Sequence, residues 1–224
     1  MIVKEFYIED LSLNYFVGIT QVKIDLEKFL HYYDIDNEEK ALIKFFNIID
    51  EIQDRNENLM VQFVKDKYIL NQDHIFIASY YFQKAFKQKI NISNKRNIEF
   101  LLYLAINRQI IKSIQAFGIE FSDLKNSLLT LCIISPFDAI NSVWNDLSSV
   151  IFAQEQKLTI DHQSLTKYNM IKEFYEISET QINSVLRSYE IDKNKLVFNI
   201  SLKFSALYDL ICEKMALLSV EKTR

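Results

Sequence analysis

The chain has 224 residues, 49% apolar and 25% charged, with a formal net charge of −4. That is the balance of a soluble globular protein large enough for one sizeable domain, not of a disordered chain. Two glycines, Gly18 and Gly118, cannot supply a Walker loop, a dinucleotide fingerprint or a Gly-x-Ser-x-Gly elbow, and His31, His74 and His162 make no His-Glu-x-x-His zinc motif.

Ile2 to Ile8 and Leu13 to Ile19 read as short strands, the second ending near Gly18. Asp25 to Tyr33 reads as a helix. Asp36 or Asn37 caps a second helix to about Arg55, with Leu42, Phe45, Phe46, Ile49 and Ile52 on its apolar side. Asp50, Glu51 and Asp54 lie opposite and read as a solvated face rather than an acid–base pair. Met60 to Val64 is a β-rich run, and Tyr68 to Leu70 extends the sheet. Asp73 is an N-cap candidate for a helix to about Lys89, crowded by Tyr80, Tyr81, Phe82 and Phe86.

After a turn at Asn91 to Asn94, the stretch Ile98 to Gly118 forms one long helical pattern. Phe100, Leu104, Ile111, Ile114 and Phe117 recur at three-, four- and seven-residue steps, an apolar stripe on one side. Gly118 stands where a left-handed C-cap wants glycine. Arg108, Lys112 and Gln115 share a second face. Between Lys84 and Lys112 the chain carries Lys84, Lys87, Lys89, Lys95, Arg96, Arg108 and Lys112 against the single acid Glu99, a local balance of +6 in an acidic protein. Such a block is either a footprint for a polyanion or a solvated lysine-rich helix end.

Ser127 to Ile134 reads as a buried strand. Pro136 opens a helix that contains Trp144 and runs to about Ile151, and Gln154 to Ser164 reads as a loop. Leu165 to Tyr175 and Glu179 to Tyr189 are helices, with Ser178 capping the second. The tail Glu213 to Glu221 puts apolar residues on both faces, as a central strand does. Cys132 and Cys212 read as buried small hydrophobes. Apolar runs are too short to span a bilayer and MIVKEFYIED lacks a signal-peptide core, which places the chain in the cytoplasm without a membrane partner.

The stretch EFLLYLAINRQIIKSIQAFGI resembles the signature of the small KEOPS subunit that docks on an atypical kinase, the family of the PRPK-binding protein. The match rests on Glu99, Leu101, Leu102, Tyr103, Arg108, Gln109, Ile110, Ile114, Phe117, Gly118 and Ile119. The chain departs where the family has a small Ser-Gly-like pair, carrying Ala105-Ile106-Asn107. His74 and Ala78 sit where the family has a His-Leu-x-x-Ala helix. Tyr175-Glu176 replaces a glycine in a late Phe-Gly-Ile-Thr segment. The family closes on a strand similar to the tail here, and residues near 189–209 form an insert.

The fold expected is α+β, a single domain over 1–224 with a small, mostly antiparallel sheet covered by helices. The resemblance implies a non-catalytic KEOPS subunit that binds the small atypical kinase and the 3′ CCA end of tRNA, in support of threonylcarbamoyl adenosine modification. No cofactor and no metal site is expected. Single-stranded RNA is held by cations along its phosphates and by planar groups under its bases. Arg108 and Lys112 are the candidates for phosphates, Arg96 and Lys87 for outer steering charges, Gln109 for a base edge, and Lys84 is a further RNA-binding candidate of the same block. His74 is a further candidate for RNA contact, against the commoner role of a capping or core histidine. Two other readings stand beside this one. The first is a module that regulates a kinase without touching RNA, and the second is an enzyme built from dispersed carboxylates.

Overall fold

Alternation of apolar residues at the start of the chain builds a hairpin. β1 (Ile2–Ile8) pairs antiparallel with β2 (Leu13–Ile24), Ile2 opposite Ile19 and Ile8 opposite Leu13. The computed structural model describes residues 1–126, 128–189 and 199–221. β3 (Met60–Val64) and β4 (Leu129–Ser135) complete the order β1-β2-β4-β3, and β5 (Ala153–Gln156) pairs with the far end of β2. Every pairing is antiparallel. The chain is a single α+β domain, and its contacts cluster into two compact units.

The first unit, residues 1–66 and 118–158, holds the sheet. α1 (Leu26–Tyr32) is capped by Asp25, whose side chain accepts from Lys28 N–H, and α2 (Glu38–Asp54) by Asn37 in the same way. α6 (Phe121–Asn126) and α7 (Ile140–Ile151) are the remaining α-helices described in this unit. Phe45, Ile49 and Ile52 of α2 and Val143, Leu147 and Ile151 of α7 bury against Val61, Phe63, Leu131 and Ile133 of the sheet. Gly18 lets α7 approach β2, because a Cβ there would collide with Cγ2 of Ile140. Asp50, Glu51 and Asp54 are solvent-exposed, as a solvated face requires.

The second unit, residues 67–117 and 159 onward, is helical. It contains α3 (Gln72–Gln88), α4 (Arg96–Ala105), α5 (Ile110–Phe117), α8 (Leu165–Phe174), α9 (Glu179–Ser188) and α10 (Ile200–Glu221). Phe82 and Phe100 meet edge to face at 6.0 Å, joining α3 to α4. α10 packs on α3, α8 and α9. Ser178 and Gln181 close a full capping box at the start of α9.

Several expectations are corrected. The tail is the end of helix α10, not a strand. Leu207, Ile211, Met215 and Leu218, among its buried residues, recur at four-, four- and three-residue steps. Residues 190–198 of the expected insert lie outside the described residues, and the rest from Ile200 onward is the first half of α10. Tyr68 to Leu70 is not strand, Tyr68 closing a turn with Lys67, and Ile69 and Leu70 being irregular, and Asn71 rather than Asp73 caps α3, accepting from His74 N–H. The expected loop after Ala153 begins as β5, held by its partners in β2.

The long helix over Ile98 to Gly118 is two helices. α4 ends with Ile106 in the left-handed region (φ 49°), and Ile106 N–H and Asn107 N–H bond back to the carbonyls of Tyr103 and Leu102. That is the Schellman closure. Asn107 then restarts the chain, its side-chain oxygen accepting Gln109 N–H at 2.8 Å ahead of α5. Neither described glycine has positive φ, so Gly118 is not a left-handed cap.

Candidate nucleic-acid and protein interface

The break between α4 and α5 decides where the basic block goes. Lys87 is in the last turn of α3 and Arg96 is the first residue of α4, whereas Arg108 and Lys112 lie beyond the end of α4. Ten helical residues at 1.5 Å each separate the two groups by about 15 Å along the helix axis. The block is therefore two groups rather than one patch.

The first group is partly absorbed into the fold. Arg96 Nη2 donates to Gln83 Oε1 at 2.9 Å. Its guanidinium lies over the rings of Phe82 (5.0 Å) and Phe86 (4.6 Å). Burial pushes its pKa down to about 10. Arg96 thus fastens the start of α4 to α3. Lys84 is half-buried with its ammonium 5.9 Å from the Tyr80 ring, and Lys87 is exposed. Glu99, counted in the sequence only as the lone acid of the block, is wholly buried, and its Oε2 accepts from Ile92 N–H and Ser93 N–H at 3.0 and 2.9 Å. It ties down the turn before α4, and two backbone donors satisfy it as a buried carboxylate requires.

The second group is open. Arg108, Gln109 and Lys112 are all exposed. At the α4–α5 break just before them lies a cavity of about 300 Å³, with walls that include Ile106, Asn107, Phe174, Glu176, Lys214 and Leu217 and none of these three side chains. Phe117 anchors α5 beneath, 5.9 Å from the Phe174 ring, which in turn stacks on Tyr68 at 4.0 Å.

His74 belongs to the core. It is fully buried, and Nδ1 accepts Leu70 N–H at 3.2 Å, leaving the neutral ring's proton on Nε2, 3.4 Å from the Tyr175 hydroxyl. Burial pushes its pKa down to about 3, with the Lys167 charge pushing the same way. A neutral ring without solvent access reaches neither phosphate nor base.

A different surface escapes the sequence reading. Ile111 and Ile114, which their spacing puts on the apolar stripe, are exposed, together with Ile110. α5 buries Ser113 and Phe117 instead. Rotation by 100° per residue places Ile110, Ile114 and Ile111 within one arc, with Gln115 and then Lys112 following around the helix. Burying one isoleucine side chain contributes about 1.5–3 kcal/mol, so three left in water are a standing source of association energy. The signal was available in the sequence, since the stripe loses its phase if a helix ends before Asn107.

A larger cavity of about 840 Å³ lies in the first unit beside Leu26, Leu30, Ile35 and Phe121. Its rim carries Asp25, Glu27, Asp36 and Glu38 against Lys23 and Lys125, the wrong balance for a polyanion. A hydrogen bond and the positive charge of Lys40 hold Asp36 below the usual carboxylate range, opposite to what a general acid needs. Among the described residues no helix is long and apolar enough to cross a membrane.

Residues 32–219 match the family model described as kinase binding protein CGI-121, a span that includes every residue of the open group. No curated protein matches the chain.

Proposed function

Because the chain belongs to the CGI-121 family of kinase binding proteins, we propose that it is a non-catalytic, cytoplasmic subunit of the KEOPS complex. In this reading it docks the small atypical kinase and holds the unpaired 3′ CCA end of tRNA while the complex forms threonylcarbamoyl adenosine. The carrying observation for RNA is the open group at the α4–α5 break. Arg108, Gln109 and Lys112 are exposed, and Asn107, the residue before them, lines a concave pocket together with Phe174 and Lys214. Cations along a backbone and a planar wall beneath a base are the groups that single strands use. Arg108 and Lys112 take phosphates, Gln109 takes a base edge, and Lys84 and Lys87 steer from the far end of α4. Arg96 positions α4 rather than touching RNA.

A second reading is a kinase-regulating module that contacts no RNA. The splitting of the basic block, and the commitment of Arg96 to Phe82 and Phe86, favour it. Co-expression with the small kinase of the same organism, followed by gel filtration with and without tRNA, tests both readings. A stable binary complex that recruits tRNA is expected, with no ATP hydrolysis by the purified chain alone. ATP hydrolysis by that chain would overturn the non-catalytic assignment, and a kinase complex unable to retain tRNA would favour the module.

A further inference from the structure

We infer that the open groove beside α1, in the first unit, docks a protein segment in which lysines and arginines flank apolar anchors. The groove is the cavity of about 840 Å³ already placed in that unit. Its floor is Leu26 and Leu30 of α1, Ile35 of the α1–α2 turn and Phe121 of α6. Each of the four packs against the core and is only half-buried. One side of each side chain thus belongs to the fold, and the other lines the groove. The rim is exposed and mostly charged, with Lys23, Asp25, Glu27, Asp36, Glu38 and Lys125. A small molecule is held where about 70–90% of its surface is covered. A trough whose rim stands in solvent does not cover one in that way, whereas a chain segment keeps its outer side in water. An apolar floor inside a charged rim is the anatomy of a protein interface.

Charge states what the segment carries. Residues 25–39 hold six carboxylates against Lys28 alone, a balance of −5 in a chain whose total is −4. Two of the six have local partners, since Asp25 caps α1 and Asp36 bonds to Lys40. Glu27 and Glu38 meet no cation within ion-pair distance among the described residues. Both stand in the first turn of a helix, where the dipole favours a carboxylate and leaves its outer oxygens to solvent or a partner. A nucleic acid or an anionic lipid surface is repelled by such a rim. Cations on either side of an apolar anchor complement it, and apolar side chains then cover Leu26, Leu30, Ile35 and Phe121.

The test is a titration of three fluorescein-labelled peptides of one length and pattern, built of leucine and lysine, leucine and glutamate, or serine and lysine. The leucine–lysine peptide binds wild type at least about tenfold more tightly than either of the others. Glu27→Lys combined with Glu38→Lys lowers that affinity by at least about tenfold, and the milder pair Glu27→Gln with Glu38→Gln lowers it by less. Asp50→Lys with Asp54→Lys makes the same change in net charge at exposed positions outside the groove, and leaves the affinity within about twofold. Equal losses in the two lysine pairs overturn the inference, because they reduce it to non-specific attraction. So does a serine–lysine peptide that binds as well as the leucine–lysine one, or a leucine–lysine peptide that wild type does not bind. A wild-type dimer broken by the Glu27 and Glu38 reversals, read by sedimentation, overturns it too and gives the groove to a second copy. The titration contains neither kinase nor tRNA, so its failure leaves the reading above standing.

Discussion

The Tyr175 hydroxyl donates to the Leu104 carbonyl at 2.7 Å. Leu104 lies in the last turn of α4, where carbonyls have no partner within their own helix. Tyr175 reaches it from the end of α8 and is itself almost wholly buried. The bond therefore satisfies an orphaned acceptor beside the break that exposes Arg108. Removing the hydroxyl as Tyr175→Phe takes one donor from a carbonyl that the His74 ring also reaches, and costs about 1 kcal/mol. Urea denaturation of the two proteins measures it, and equal midpoints would deny the bond any net value.

Glu176 follows in the left-handed region at φ 52°, with its side chain exposed. The resemblance places a glycine there, and the backbone shows why. A left-handed L-residue costs roughly 1–2 kcal/mol, partly offset when glycine frees the unfolded chain. Glu176→Gly removes no buried contact and raises stability by on the order of 1 kcal/mol. For a chain of this size the melting temperature rises by about 2–4 °C. A lower melting temperature would mean that the glutamate makes a contact worth more than the strain.

The sheet was legible because apolar alternation and β-branched runs place β1 to β4 without tertiary information. Helix ends were not, for a reason particular to this chain. Asp34, Lys89, Ile106 and Glu176 all take the left-handed position after a helix. In each case the next residue's N–H reaches back five places, as Ile35 does to Leu30 and Ile177 to Lys172. Four Schellman closures thus operate without glycine, while Gly118, chosen as the stop signal, closes nothing in this way. With the stop misplaced, α4 and α5 fused into one pattern, and the outward isoleucines fell on its apolar stripe. The tail failed for a different reason, since apolar residues on both faces do not separate a buried helix from a central strand. Glu, Lys, Met, Ala and Leu in that tail are strong helix formers, and propensity decides for α10. Of the candidate site, the type and region of the open cations were legible. The burial of His74 and the seating of Arg96 on two rings depend on contacts between helices that no local spacing encodes.

His74 makes stability depend on pH. Its folded pKa is depressed to about 3 from 6.5, so the unfolded chain takes up the proton first. Its contribution is complete above about pH 6.5 and is lost as pH falls toward 3. Each pH unit inside that window costs about 1.4 kcal/mol, so on the order of 2 kcal/mol disappears between pH 7 and pH 5. In His74→Gln, whose side-chain oxygen can still accept Leu70 N–H, that part of the slope should vanish. Urea midpoints at pH 7, 6 and 5 compare the two. Parallel slopes would show that the histidine titrates alike in both states.

The last prediction separates RNA capture from protein docking at the α4–α5 break. Arg108→Glu reverses an exposed charge next to Lys112 and leaves the buried anchors Ser113 and Phe117 in place. The fold should therefore survive, while tRNA affinity falls by at least about tenfold, because each lost phosphate contact also forfeits counterion release. The logarithm of affinity against the logarithm of salt should flatten by about 0.7 per contact removed from a single strand. tRNA trimmed of its CCA end should bind wild type no better than intact tRNA binds the variant, since the proposed site takes unpaired nucleotides. Kinase affinity is read in parallel, as a control that the variant is folded. Fluorescence titration of both proteins with intact and trimmed tRNA at two salt concentrations reads all of these effects. Equal affinity for intact and trimmed tRNA would reject capture of the 3′ end. Unchanged binding by Arg108→Glu, with a normal preference for intact tRNA, would move the RNA site to Lys84 and Lys87 at the far end of α4.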